Sequence, residues 1–269
     1  MAAGALAALR SALVLYILPI SLFGLSVAAS ELPELSRAGK SERAQFLDHL
    51  RRSIRQSMFL TVPTAVGYLA FGFLVIGAIF RRGEFGLADN WLVYVVLGAY
   101  TVGLVATTLS RLLQNAYWAL GDTKTPARLA GLRLVVSVSV AAPLMMLLDG
   151  WAVSDVVHLP EAVRGELFLG AAGLAVGSSV AAWLELWRLR VLLKRSLEDS
   201  GVHWKPIVKV AGLAILAAVP ATLVWWLLPG LPTVATAAIV VGLYSMLYLG
   251  TAYGLSFPEL TWWLGRLRS

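Results

Sequence analysis

The sequence predicts an all-α integral membrane protein, a polytopic bundle of about seven transmembrane helices. Apolar residues make up 59% of the 269-residue chain and charged residues only 14%, whereas a soluble domain is about 45–50% apolar and about 25% charged. The mean hydropathy is +0.78, and long apolar runs alternate with charged connections. So few charges cannot cover a surface that faces water, which excludes a soluble enzyme.

Seven segments are long enough to cross the hydrocarbon core of a bilayer, which takes about 20 apolar residues. We name them A to G in chain order: 11–29, 57–80, 91–120, 127–148, 167–189, 207–228 and 233–255. Segments F and G come from a stretch without formal charge, 210–258, which Pro229, Gly230 and Pro232 divide into a hairpin. The runs lack the apolar–polar alternation of a transmembrane β-barrel.

The charged connections alternate in the way that sets membrane topology. The A–B and E–F connections are rich in Lys and Arg, D–E has Arg164 among four acidic residues, and F–G has no charge. Because basic loops stay on the cytoplasmic side, we expect A–B, C–D, E–F and the C-terminus there. Seven spans that end inside begin outside, although no signal peptide precedes segment A.

Two stretches outside the spans have interfacial patterns. Residues 42–56 predict an amphipathic helix on the membrane surface between A and B, with a solvated loop as the alternative. Its apolar face consists of Phe46, Leu47, Leu50 and Ile54. The tail, 258–269, combines two tryptophans with two arginines, which is typical of an interfacial anchor.

Catalytic and metal-binding patterns are missing from the sequence. With no cysteine, disulfides, thiolate zinc sites and iron–sulfur clusters are excluded, and the histidines, His49, His158 and His203, lack metal-ligand spacing. We find no ATP-binding motif and no nucleophile–base constellation. We therefore expect no cofactor, no enzymatic activity and no nucleic-acid partner, since the basic residues follow membrane topology.

Polar residues inside segment C are the sharpest functional signal, because an ionisable residue in a span is costly unless it faces protein or water. Gln114 and Asn115 follow Arg111 by three and four residues, on the same helical side. This stripe suits a hydrated cavity and an anionic headgroup. The alternative is a structural network between helices, for example Arg111 with Glu185.

Three other charges lie in or beside spans. For Arg133, near the start of D, we expect a structural role with the side chain extended to the cytoplasm. For Glu185 we expect a local ion pair with Arg188, three residues later. Arg10 precedes segment A on the outer side, either to meet a pyrophosphate or as an ordinary flanking charge.

Glycine and proline mark turns and close contacts. Gly121 should close segment C, and Asp122 with a neighbouring threonine should cap D ahead of Pro126. A tight turn is the favoured interpretation there, and a hinge is the alternative. In segment E the spacing of Gly170, Gly173 and Gly177 allows another helix to approach closely. Prolines inside the spans, such as Pro63, predict kinks where neighbouring groups satisfy the carbonyls that proline leaves without a donor.

Four motifs together carry a family resemblance. They are LPISLFGLSVAASELPELSRAGK (18–40), FLTVPTAVGY (59–68), FRRGEF (80–85) and RLLQNAYWALGDTKTP (111–126). The sequence resembles the MurJ/MviN family of lipid II flippases, in the multidrug/oligosaccharidyl-lipid/polysaccharide exporter superfamily. The specific motifs cover Leu15 to about Arg195, whereas F and G match only by hydropathy and position.

The resemblance implies a fourteen-helix plan in which A to G correspond to helices eight to fourteen. The chain then resembles a C-terminal half: transport-lobe helices in 1–200, with the interfacial helix near 42–56, and a terminal two-helix hairpin in 201–269 that forms a lipid-tail groove. The implied partners are an undecaprenyl-pyrophosphate-linked peptidoglycan precursor, the bilayer and an N-terminal lobe, supplied by another chain or missing from the gene model. The implied location is the bacterial cytoplasmic (inner) membrane.

The resemblance also implies roles for site residues. Many members have an ionisable pair where this sequence has Val14 and Ile17, so a cationic contribution from A rests on Arg10. The substrate-binding candidates are Arg111, Gln114, Asn115 and Arg10, and the structural or gating candidates are Glu185, Arg133, Asp122 and Pro126. The alternative functions are a superfamily exporter of drugs or polysaccharide-lipid, and a non-transporting membrane subunit or remnant.

Overall fold

The computed structural model describes residues 3–25, 43–83, 85–153 and 168–260. Over these ranges the chain is built from α-helices, and a short π-helix, Ile20–Leu25, continues the first of them. In chain order the helices are α1 (Ala3–Pro19), α2 (Arg43–Phe80), α3 (Leu87–Val102), α4 (Leu104–Ala119), α5 (Lys124–Leu148), α6 (Gly170–Leu197), α7 (Trp204–Leu227) and α8 (Thr233–Gly254). The expected all-α membrane bundle is confirmed.

The number of membrane-crossing helices depends on how segments C and E are treated. Among the described residues, five helices are long and apolar enough to span a membrane, namely α1, α2, α5, α7 and α8. The bent pair of α3 and α4 makes a sixth if it is counted as one span. The seventh expected segment, E, is α6. At 28 residues it is about 42 Å long, but its glycines, serines and Glu185 make it less apolar than the others.

Helix α2 is longer than segment B because the expected surface helix is its first part. The 38 residues of Arg43–Phe80 form one uninterrupted helix, so 42–56 is not a separate element. Phe46, Leu50 and Ile54 are buried in one apolar cluster with residues of α6 and α7. The amphipathic pattern is real, but the protein itself covers its apolar face.

Segment C is a bent pair of helices rather than one. Helices α3 and α4 meet at Gly103 with a bend of 42°, where α6 presses into the chain: a Cβ on Gly103 would lie 2.6 Å from Ser179 Oγ. The Ser179 hydroxyl donates to the Ala99 carbonyl (2.6 Å) and the Trp183 indole N–H donates to the Val102 carbonyl (2.9 Å). One glycine in an apolar run gave no sign of this break.

The carbonyl that Pro63 frees within α2 is satisfied by a neighbouring helix, as expected. A proline cannot donate to the carbonyl four residues earlier, here that of Phe59, and the Tyr248 hydroxyl donates to this carbonyl instead, at 2.6 Å. The Tyr244 hydroxyl donates to the carbonyl of Pro63 itself, at 2.8 Å. These two bonds fasten α8 to α2.

Helices α5 and α6 approach each other through the expected glycines. A Cβ on Gly173 would lie 2.6 Å from backbone atoms of α5, and one on Gly177 would lie 2.6 Å from Ala141 Cα. Gly170 meets the side chain of Asp149 in the same way. The opposite face of α5 is open, with Leu134 66% and Met146 75% exposed.

The connection between α4 and α5 is a tight turn. Gly121 has a φ of +80°, in the left-handed region that favours glycine. One carboxylate oxygen of Asp122 accepts the backbone N–H groups of Lys124 (3.0 Å) and Thr125 (2.9 Å). The Thr125 hydroxyl and N–H lower the pKa of Asp122. Pro126 is buried in the first turn of α5, so the expected turn geometry is confirmed, and gating by these residues stays a prediction.

Three stretches that carried sequence predictions lie outside the described residues. They are the ELPELSR part of the first motif, most of the acidic D–E connection, and the tryptophan–arginine tail beyond Leu260.

Candidate functional site

Five polar side chains from four helices meet in the interior of the bundle, and we call them the polar cluster. They are Tyr16 of α1, Thr107 and Gln114 of α4, Arg133 of α5 and Glu185 of α6. The hydrogen bonds that join them link residues 26 to 91 positions apart in the chain, so the cluster depends on the fold.

Glu185 is the centre of the polar cluster. Its side chain is 1% exposed and its Oε2 lies 2.8 Å from Arg133 Nη1. Its Oε1 accepts a hydrogen bond from Gln114 Nε2, also at 2.8 Å. A buried carboxylate is tolerated when it is paired and its lone pairs are satisfied, and both oxygens are bound here. The carboxylate therefore ties α4, α5 and α6 together.

Thr107 extends the polar cluster to α1. Its Oγ1 accepts from Arg133 Nη2 at 3.3 Å and lies 2.8 Å from the Tyr16 hydroxyl. The Tyr16 ring stacks on Tyr100 with 5.1 Å between the centroids. A continuous chain of polar contacts thus runs from Glu185 to α1.

Arg111 lies on the same face of α4 as the polar cluster but outside its hydrogen bonds. It follows Thr107 by four residues and precedes Gln114 by three, the spacings that share one helical side. It is exposed, and within the described part of the chain it has no hydrogen bond or ion pair. Because Glu185 neutralises Arg133, Arg111 is left as an uncompensated positive charge on this face as far as the described residues go.

The structure corrects the expected partners of the charged residues. Glu185 pairs with Arg133, 52 residues away, and neither with Arg188 nor with Arg111. The Arg188 guanidinium instead lies 5.1 Å from the centroid of the Trp187 ring. Arg133 points to the buried carboxylate rather than to the cytoplasm, because an ion pair there satisfies it more fully than a long reach through lipid.

The remaining substrate-binding candidates are less closely connected to the polar cluster. Asn115 is half-buried beside Gln114 and has no hydrogen-bond partner among the described side chains. Arg10 is exposed within α1, which begins at Ala3, well before segment A. Arg10 therefore lies inside the first helix rather than before it, since seven helical residues precede it, and its place on the outer side stays a prediction.

Sequence reasoning missed Tyr16 and Thr107. Each is a hydroxyl in an apolar run, where it is easily taken for an interfacial or packing residue. The spacing of four between Thr107 and Arg111 was the available signal for Thr107. No local pattern predicted a role for Tyr16, because its hydrogen-bond partner, Thr107, is 91 residues away.

A second feature is an apolar groove between α2 and α7. Its volume is about 800 Å³. It is lined by Val66, Leu69, Ala70, Ile215, Ala218, Val219, Thr222, Leu223 and Trp226. Trp226 is 80% exposed, so the groove opens on the outer surface of the bundle.

Comparison with known proteins decides the family. The family model described as "Lipid II flippase MurJ" matches residues 1–250. The chain belongs to the MurJ family. The "Probable lipid II flippase MurJ" of Rhizobium tropici is 33% identical over 217 residues, which cover 76% of this chain and 40% of that protein. The protein with the same description in Rhizobium meliloti (strain 1021) is 28% identical over 96% of this chain and 46% of its own length.

A solved structure has the same fold. The protein described as "Lipid II flippase MurJ, inward closed conformation" aligns with a TM-score of 0.60 at 21% identity, over 93% of this chain and 48% of that one. The chain spans about half the length of the MurJ proteins it matches. Together with the apolar helices, family membership identifies a multi-pass membrane protein of a transporter family.

Proposed function

We propose that the chain forms the second lobe of a lipid II flippase and presents Arg111 to the anionic headgroup of a lipid-linked peptidoglycan precursor. The observation that supports this most is the exposed Arg111 on the face of the polar cluster, which has no partner among the residues that the structure describes. A guanidinium in a membrane-spanning helix is costly unless water, protein or an anion solvates it. A pyrophosphate group would supply an anion that accepts paired hydrogen bonds from a guanidinium.

The polar cluster acts in this proposal as the support for Arg111. Thr107 and Gln114 flank Arg111 on α4, and both are bonded to Arg133 or Glu185. These bonds fix the rotation of α4 about its axis and thereby the direction of Arg111. The polar cluster itself is a positioning element and contacts no substrate.

Transport by alternating access needs two lobes around one cavity. The relatives with the MurJ description are about twice as long as this chain, which supports an N-terminal lobe outside this sequence, either on another chain or missing from the gene model. We propose that the exposed side of α4 faces that lobe. The groove between α2 and α7 would then hold the polyprenyl tail, because it is apolar and open to the membrane.

Export of cationic drugs, the related alternative, finds less support. A cation site needs a carboxylate that is free to bind a ligand. The carboxylate of the polar cluster, Glu185, is 2% exposed and has both oxygens bonded.

The headgroup role is tested in cells depleted of their own lipid II flippase. The chain is co-expressed with the amino-terminal half of a MurJ relative, and growth and lipid II translocation are measured. Arg111→Gln should keep normal membrane levels and abolish transport. Arg111→Lys should keep part of the transport activity, because lysine retains the positive charge but lacks the paired donors of the planar guanidinium. Arg128→Gln, which removes an exposed cation near the start of α5, is the matched control and should transport normally. Normal transport by Arg111→Gln would refute the assignment.

The need for a second lobe has its own test. Expressed without the amino-terminal half, the chain should not rescue the depleted cells. Rescue by the isolated chain would show that one copy suffices or that two copies form both lobes. Neither result depends on the role of Arg111.

The orientation is tested by cysteine labelling, since the chain has no cysteine. We expect the end of α6 in the cytoplasm and the α7–α8 turn outside. Cysteine at Ser196, an exposed residue of α6, should resist an impermeant thiol reagent added to intact cells, and cysteine at Gly230, in the turn, should react. The opposite pattern would invert the topology.

A further inference from the structure

A second groove lies at the end of the bundle where α7 begins and α8 ends. It has a volume of about 710 Å³ and is bordered by α2, α7 and the residues that follow α8. Its polar part contains Arg55, Lys205, Lys209 and Glu259. Its apolar part contains Leu213, Leu216, Leu255 and Phe257. No residue of the polar cluster lines it.

The polar part of the groove carries a net charge of +2, from three cations and one carboxylate. Glu259 is 9% exposed and lies 3.6 Å from Arg55 Nε, so these two charges compensate each other. Lys205 and Lys209 are one helical turn apart on α7, and both are exposed. Within the described chain neither lysine has an ion-pair partner. Two neighbouring ammonium groups therefore remain available to an anion.

The apolar part continues directly from the two lysines. Leu213 and Leu216 follow Lys209 by four and seven residues, which places Leu216 about 10 Å further along the helix axis. Leu216 is 70% exposed and Leu255 is 65% exposed. The groove thus changes from cationic to apolar over about 10 Å, and its apolar walls open outward from the bundle.

We propose that this groove binds an anionic phospholipid of the adjacent leaflet, with the phosphodiester at Lys205 and Lys209 and the acyl chains along Leu213, Leu216 and Leu255. Basic pockets between membrane helices bind anionic headgroups through this combination of charges. A soluble phosphate would use the lysines but leave the apolar walls uncovered. A zwitterionic lipid would cover the walls but gain little from the net positive charge. The ligand is distinct from the proposed transport substrate and serves as a fixed annular lipid.

The test measures lipid binding by the full chain in a neutral detergent, by native mass spectrometry with added phosphatidylglycerol or phosphatidylcholine. We expect the unmodified chain to bind phosphatidylglycerol preferentially. The double variant Lys205→Gln, Lys209→Gln should bind phosphatidylglycerol about tenfold more weakly, since each surface cation contributes substantially to anionic-lipid binding. The matched control is the double variant Lys194→Gln, Arg195→Gln. It removes two exposed cations near the C-terminal end of α6, outside the groove, and should change binding less than about twofold.

Four outcomes would overturn the proposal. Equal weakening in both double variants would mean general surface attraction. Equal binding of phosphatidylcholine would mean that charge is not recognised. Displacement of the lipid by millimolar inorganic phosphate would assign the lysines to a soluble anion, and displacement by an equimolar amount of undecaprenyl pyrophosphate would assign the groove to the transport substrate. Circular dichroism should show that both variants are folded, as expected for exposed side chains.

Discussion

The helix pairs α5–α6 and α7–α8 are held in place by opposite means. Helices α5 and α6 meet backbone to backbone at Gly173 and Gly177 and share the buried ion pair of Arg133 and Glu185. Helices α7 and α8 have glycines too, but Gly242 and Gly250 face open space. This second pair is attached to α2 by apolar contacts and by tyrosine hydroxyls.

The difference indicates how far each pair can adjust. Backbone contact and a buried charge pair both have narrow geometric optima, because a small separation opens a void or leaves a charge unpaired. Contacts among flexible apolar side chains can rearrange at little cost. We therefore expect α5–α6 to behave as one stiff unit and α7–α8 to tolerate substitutions. Four comparisons between variants test this contrast.

Loss of the central carboxylate should have the largest effect. Glu185→Ala leaves Arg133 without its counter-charge in the interior, which costs about 3–5 kcal/mol when a buried pair is broken from one side. We expect a marked fall in the thermal unfolding midpoint in detergent. Arg133→Met in the same chain should recover part of the loss, because the unpaired charge is removed. An unchanged midpoint for the single variant would show that the pair does not hold α5 and α6 together.

A methyl group between α5 and α6 should have the next largest effect. In Gly177→Ala the new Cβ would lie 2.6 Å from Ala141 Cα, so the helices must separate, at a cost of about 2 kcal/mol. Gly250→Ala on α8, where no atom lies within 4 Å, should leave stability unchanged or slightly raised. Equal unfolding midpoints for the two variants would remove the proposed contrast between the pairs.

Removal of a single hydroxyl from the α8–α2 contact should have a moderate effect. Tyr248→Phe leaves the Phe59 carbonyl, which Pro63 has freed, without a donor, and an unsatisfied buried acceptor costs about 1–3 kcal/mol. Tyr253→Phe changes the same residue type at a position that is 66% exposed and should be neutral. If the two variants unfold alike, another donor must serve the Phe59 carbonyl.

Arg133 belongs to the polar cluster and Arg111 lies beside it, so the two arginines should differ in how much they stabilise the fold. Substitution of Arg111 should have the smallest effect of all. Arg111→Gln should change the free energy of unfolding by less than about 0.5 kcal/mol, as surface substitutions usually do, because no described side chain bonds to it. Arg133→Gln should destabilise clearly, because Glu185 loses its counter-charge. A comparable destabilisation by Arg111→Gln would indicate a structural partner.

Local signals in the sequence were sufficient for most of the fold. Apolar run length predicted the helices, the spacing of Gly170, Gly173 and Gly177 predicted a close contact with another helix, and Pro63 predicted a freed carbonyl that a neighbouring group satisfies. Each of these predictions rests on residues near one another in the chain, although the contacts that fulfil them come from other helices. The same kind of signal placed the turn at Gly121.

The partners within the candidate site could not be predicted in the same way. Glu185 has Arg188 one turn away, and only the packing of α5 against α6 brings Arg133 closer. The bend at Gly103 is likewise caused by a residue of another helix, Ser179. The apolar face of 42–56 suited lipid and protein equally well, and only the fold decided between them. Roles that depend on a ligand, such as that of Arg111, remain predictions.

The bend at Gly103 has a consequence for how motion could pass through the bundle. The carbonyls of Ala99 and Val102, next to the break, accept hydrogen bonds from Ser179 and Trp183 of α6. The end of α3 is therefore attached to α6. Because α6 is bonded to α3 there and to α4 through Gln114 and Glu185, we expect a change in the angle between α3 and α4 to move α6, and α5 to follow α6 through their backbone contact. We therefore expect a displacement of α5 to be coupled to the tilt of α4, and through it to the position of Arg111 beside the bundle.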